Sequence, residues 1–206
     1  RSPGAGSLVQ RGNYWLLLAL AALLATVGAW RWHGSAGIDA SAVPAGTVVV
    51  NGGDGGGLPR ADAAAEGFER QSLELAQAWA AAQHAHALLI ARHGHLVGEQ
   101  YDGIDANTLV EGGELTDTLL QLAAGIAAAR NGLAVPPAAQ AEAAQLSAAI
   151  ARASGHSYAQ FLSRNIWQPL NAAPAQWSPA DMRARSVDWL RVADLLLHDG
   201  RFEGTQ

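Results

Sequence analysis

The strongest pattern in the chain is an uncharged apolar run, YWLLLALAALLATVGAW from Tyr14 to Trp30, bounded by Arg11 and Arg31. With its aromatic flanks it approaches the roughly 20 residues at 1.5 Å rise that cross a bilayer. Tyr14, Trp15, Trp30 and Trp32 stand at its two ends, where amphipathic rings favour the headgroup region. The pattern predicts a transmembrane helix over residues 14–32 behind a short tail, 1–13. An uncleaved signal peptide and a buried core helix are the alternatives, but Trp30-Arg31-Trp32 offers no small-x-small cleavage site. Arg1 and Arg11 precede the run and few charges follow it closely, which favours an inside N-terminus and an outside remainder. The expectation is a single-pass protein of a bacterial inner membrane with a periplasmic C-terminal domain.

Residues 33–66 contain few large apolar groups and include NGGDGGG from Asn51 to Gly57. Such dense glycine is costly to order, so this stretch is expected to be a flexible linker, with Thr47–Val50 as a candidate short strand. Periodicity then predicts a domain over 67–206. Phe68, Leu75 and Trp79 share one side of a helix ending near Gln83. Two strand-like segments within His86–Tyr101 meet at Gly94, as in an antiparallel hairpin. Leu115, Leu119, Leu122 and Ile126 form the apolar stripe of a helix stopping at Asn131-Gly132. After Pro136-Pro137 comes a helix over about 139–153, closed by Gly155, and a short one capped by Ser157. Ser178-Pro179 with Asp181 predicts a brief helical turn, and Ser186 opens a last helix through Leu197. The fold class is α+β: helices with an N-terminal β-hairpin, whose two strands alone make a marginal sheet.

Composition narrows the chemistry. There is no cysteine, which removes disulfides and thiolate chemistry, and all 13 basic residues are arginine. A lysine base, Schiff base or phosphate-loop lysine is therefore impossible, and the glycine run is no phosphate cradle of the usual kind. A net charge of -5 without a basic run argues against nucleic acid as a partner. Abundant alanine and glycine imply a core with modest burial per residue.

The segments ALLIARHGHLVGEQY, LLQLAAGIAAARNGL, LSAAIARASGHSYAQFLSRNIWQPLN and WLRVADLLLHDGRFEG follow one another in an order that resembles the serine beta-lactamase-related superfamily, which includes class C beta-lactamases, D,D-peptidases and esterases. The likeness spans roughly Phe68 to Gly204. It implies a reduced, shortened beta-lactamase-like domain. In that family a Ser-x-x-Lys motif opens the helix corresponding to Leu115–Arg130, with serine as nucleophile and lysine as proton acceptor. A hydroxyl is a weak nucleophile until a base one helical turn away takes its proton. Here the matching positions hold Glu114 and Asp117. The family's second element, a Tyr-x-Asn-like triplet, falls on Ala138-Ala139-Gln140, where Gln140 alone is polar. Its third, a Lys/His-x-Gly strand, would lie beyond Phe202. The resemblance thus implies a pseudoenzyme without catalytic residues, metal or cofactor, acting as an accessory subunit for a protein partner in a membrane complex. The alternative it leaves is a serine hydrolase acting outside the cytoplasm.

Other residues invite chemistry. Glu114 and Asp117, close to Glu111, could hold a hard cation or act as an acid-base pair, but an acidic first turn also belongs at any helix start. His84-His86 and His93-His95 have strand spacing for two ligands each, yet lie at opposite ends of the hairpin, too far apart for one site. Either pair would need a carboxylate from elsewhere. Arg183 and Arg185 near Trp177 and Trp189 suggest a surface patch, or a core seam for the tryptophans. His156-Ser157 is too generic to define a triad.

Overall fold

The computed structural model describes residues 46–134, 142–179 and 181–200. The anticipated transmembrane run with Tyr14, Trp15, Trp30 and Trp32 lies outside them, as does Gln140. Among the described residues no helix is long and apolar enough to cross a membrane.

The described chain forms an α+β domain with five α-helices and two antiparallel sheets. Its elements in chain order are β1 (Val48–Val50), α1 (Arg70–Ala82), β2 (Ala87–Arg92), β3 (His95–Tyr101), β4 (Leu109–Glu111) and α2 (Glu114–Asn131). There follow α3 (Ala143–Ser154), α4 (Tyr158–Leu162), a single π-helical turn (Ser163–Trp167), β5 (Ala175–Trp177), β6 (Met182–Arg185) and α5 (Ser186–Leu197). The predicted hairpin is β2–β3. Its turn places His93 and Gly94 at φ 50° and 75°, the paired positive angles of a two-residue hairpin loop.

The hairpin is not the only sheet, which corrects the sequence expectation. A four-stranded sheet runs in the order β1-β5-β6-β4. Ser178 and Asp181, expected to mark a helical turn, instead close the β5–β6 hairpin. The Ser178 N–H donates to the Asp181 carbonyl at 2.9 Å, and the Asp181 N–H donates to Ser178 Oγ at 3.2 Å. Met182 and Ala184 face the core while Arg183 and Arg185 are half-buried, a period of two too short to stand out in the sequence.

The glycine-rich segment is the second correction. Within the described residues the expected flexible linker is part of the domain. β1 pairs with β5, and Ser163 Oγ donates to the Asn51 carbonyl at 2.8 Å. The Gly53 N–H reaches the Ala172 carbonyl at 2.8 Å and the Asp54 N–H reaches Asn171 Oδ1 at 2.8 Å. A Cβ at position 52 would lie 2.1 Å from the Ala172 carbonyl oxygen, so glycine serves close backbone approach there rather than freedom. Arg185 donates to the Gly55 carbonyl at 2.8 Å and Arg191 to that of Gly56. Both guanidiniums also bind Asp188, whose carboxylate is fully buried. Burial pulls the Arg191 pKa below its ordinary value, and Asp188 opposes that shift. Farther along, Pro59–Ala61 lies beside Leu96 of β3, which donates to the Pro59 carbonyl at 2.8 Å.

The core lies between α2, α3, α4, the π turn, α5 and the four-stranded sheet. On α2 the most deeply buried residues are Leu119, Leu120, Ala123, Ala124 and Ala127, while Leu115, Leu122 and Ile126 pack at its margin. The apolar stripe is thus displaced toward the alanines, whose small side chains let α3 come close. Gly132 closes α2 at φ 69°. Ser157 and Gln160 form a capping box on α4, each side chain accepting the other residue's backbone N–H. Tyr158 packs on Trp177 and Trp167 edge-on to Trp189, so these tryptophans are core residues.

Removing one partner of a buried ion pair costs about 3–5 kcal/mol because it strands the other charges. Asp188→Ala, which strands Arg185 and Arg191 together, is expected to lower the unfolding free energy by about that amount in urea denaturation. A loss below about 1 kcal/mol would contradict the clamp.

Candidate functional site

The start of α2, where the resemblance places a nucleophile, is built by two adjacent glycines. The Gly112 N–H donates to the Met182 carbonyl at 2.9 Å, and a Cβ there would meet the Trp189 ring at 2.3 Å. Gly113 has φ 53° and ψ -125°, a conformation that side-chain-bearing residues rarely hold. The pair folds the chain from β4 directly into the helix.

The helix is then capped from a distance. Asp181 accepts from Thr116 Oγ1 and, at 3.4 Å, from the Gly113 N–H. It also accepts from its neighbour Met182 N–H at 2.7 Å. A carboxylate at this place complements the positive end of the helix dipole and satisfies N–H groups that have no partner within the helix. Thr116 is 4% exposed. Its hydroxyl proton points to Asp181, but it lies too deep to meet a substrate, and its oxygen takes the Met182 N–H at 3.3 Å. This pair ties α2 to the β5–β6 hairpin and is structural.

Glu114 and Asp117 are both exposed in the first turn, and among the described residues neither carboxylate has a hydrogen-bond or ion-pair partner. Neither is positioned by a neighbour as a general acid or base must be. Gln140 lies outside the described residues. Thr116 with Asp181 escaped the sequence reading because Asp181 follows Ser178-Pro179, a local signal that points to its own turn and not to a helix 65 residues earlier.

The histidines divide as expected, with His84 and His86 at the open end of the hairpin and His93 and His95 at its turn. The structure adds Glu66, whose carboxylate oxygens stand 2.8 Å from His93 Nδ1 and 3.5 Å from His95 Nδ1. Among the described residues no group of three or more such side chains is arranged to hold a metal ion. His156 and Ser157 form no triad: Ser157 Oγ caps α4 and His156 Nε2 meets Arg164. Arg183 and Arg185 are committed inward, to the Leu109 carbonyl at 3.2 Å and to Asp188 at 2.8 Å, rather than forming an open patch for an acidic partner or lipid.

No protein-family model matches this chain, and no curated protein matches it.

Thr116→Val keeps the shape but leaves the Met182 N–H and Asp181 without the hydroxyl. Losing hydrogen bonds to a charged, sequestered partner costs about 1–3 kcal/mol. A matching fall in unfolding free energy is expected, with no change at all arguing that the cap lies elsewhere.

Proposed function

We propose that this chain is a membrane-anchored, non-catalytic protein of the serine beta-lactamase-related type that binds a protein partner on the periplasmic side of a bacterial inner membrane. The observation that carries the reading is the free edge of β2. β3 is covered on its far side at Leu96 by Pro59–Ala61, but among the described residues no strand pairs with the outer edge of β2. Helices α1 and α5 pack against β2, yet a helix cannot supply the ladder of hydrogen bonds that an edge strand lacks. The Asp102 N–H donates to the His86 carbonyl at 2.9 Å. By antiparallel alternation, the N–H groups of Ala87 and Leu89 then point away from β3. An extended segment of a partner can add there as a further strand.

Two further features support the reading. Leu75 and Trp79, one turn apart on α1, are 64% and 58% exposed, an apolar pair next to the same hairpin. Glu114 and Asp117 stand open to solvent where the related enzymes have a serine and a lysine, and the chain has no lysine to accept a hydroxyl proton.

The test is affinity capture of the full chain from detergent-solubilised membranes, alongside Ala87→Pro, which removes an outward N–H at the first residue of a strand, and Trp79→Ala. The expected result is a stoichiometric partner held by the parent chain and lost from both variants while their melting temperatures stay close to the parent's. Recovery of a monomer without partner would contradict the binding role. A stoichiometric penicillin or fluorophosphonate adduct on one of the chain's own hydroxyls would contradict the non-catalytic one.

A further inference from the structure

Away from the start of α2, a cavity of about 250 Å³ opens where the C-terminal ends of α2 and α3 meet the π turn. Its lining includes Arg130, Ser154, His156, Phe161, Arg164 and Asn165. The lining holds two arginines and no carboxylate, and among the described residues neither arginine has an ion-pair partner. This contrasts with Arg60, Arg185 and Arg191, each of which is paired with an acid.

Both guanidiniums are held in place by neutral groups. Arg130 Nη1 donates to Asn165 Oδ1 at 2.7 Å, and Asn165 Nδ2 is itself fixed by donating to the Phe161 carbonyl at 2.8 Å. Arg164 Nη1 meets His156 Nε2 at 3.0 Å. A guanidinium has only donors, so Nε2 accepts and the imidazole proton sits on Nδ1. Each contact occupies one donor and leaves the rest of the fork available. The negative ends of two helices, about half an elementary charge each, are outweighed by two full positive charges.

We propose that this pocket binds a phosphate ester, its phosphate held between Arg130 and Arg164. A phosphate monoester carries about -1.5 to -2 charges and three acceptor oxygens, which match two guanidinium forks better than a carboxylate does. The cavity is larger than a bare ion requires, leaving room for the esterified group. The source is either a soluble phosphomonoester or the headgroup of an anionic lipid.

The experiment is a titration of the full chain in neutral detergent with inorganic phosphate at constant ionic strength, followed by calorimetry. Saturable one-to-one binding is expected, with acetate at least about tenfold weaker. Arg130→Gln and Arg164→Gln should each weaken phosphate binding about tenfold or more, the cost of a lost charge-assisted hydrogen bond. Arg152→Gln, on α3 but outside the lining, should leave it within about twofold. Glycerol 3-phosphate and dihexanoyl phosphatidic acid then separate the sources: tighter binding of the first assigns a soluble ester, and of the second a lipid headgroup. Absence of saturable phosphate binding, acetate binding as tightly, or phosphate binding that survives both arginine substitutions would overturn the proposal.

Discussion

The buried carboxylate of Asp188 joins β6, α5 and, through its two arginines, the glycine-rich segment. It stands in the first turn of α5, takes Arg185 from the end of β6 and Arg191 from one turn farther along the helix, and is fully enclosed. Burying such charges is costly unless every donor is used. One further donor of each arginine goes to a glycine carbonyl, of Gly55 and of Gly56, so the glycine-rich segment helps to solvate the ion cluster and the cluster fixes the segment. From that attachment β1 is delivered to the edge of the four-stranded sheet and Pro59–Ala61 to the edge of the hairpin.

The same logic of distant completion governs the start of α2. Gly113 carries no side chain that could cap the helix, and Asp181 does so from the β5–β6 turn. The turn thereby connects the four-stranded sheet, through Met182, to the helical core, through Thr116. Glu114 and Asp117 are left outside this arrangement, facing water. The fold is maintained without them.

How much could be read from the chain alone follows from the range of each interaction. The long helices were legible because their spacing repeats over many residues, and α4 was legible because its cap, Ser157, is local; the Gln160 half of the capping box shows only in the structure. The β2–β3 turn was legible in His93-Gly94. β1 was legible in the β-branched Thr47–Val50 run, whereas strands of three or four residues such as β4, β5 and β6 carry too few positions to show a period of two. The NGGDGGG run reads as a tether in sequence because glycine signals both freedom and close approach, and only the distant Ala172 and Arg185 decide between them. The displaced stripe on α2 has a similar cause: alanines score weakly as apolar, yet they occupy the closest helix contact. Of the candidate site, the exposed acids were legible by position, whereas the Thr116–Asp181 pair and the Arg130–Arg164 pocket exist only through contacts between segments far apart in sequence.

Folding of the glycine segment into the domain carries both the attachment of β1 to β5 and the cover that Pro59–Ala61 gives to β3. Amide hydrogen exchange of the full chain at single-residue resolution tests this directly. The Gly53 and Asp54 amides, which donate to Ala172 and Asn171, should exchange with protection comparable to the amides of β5. Exchange of both at the rate of an unstructured peptide, while β5 remains protected, would contradict it.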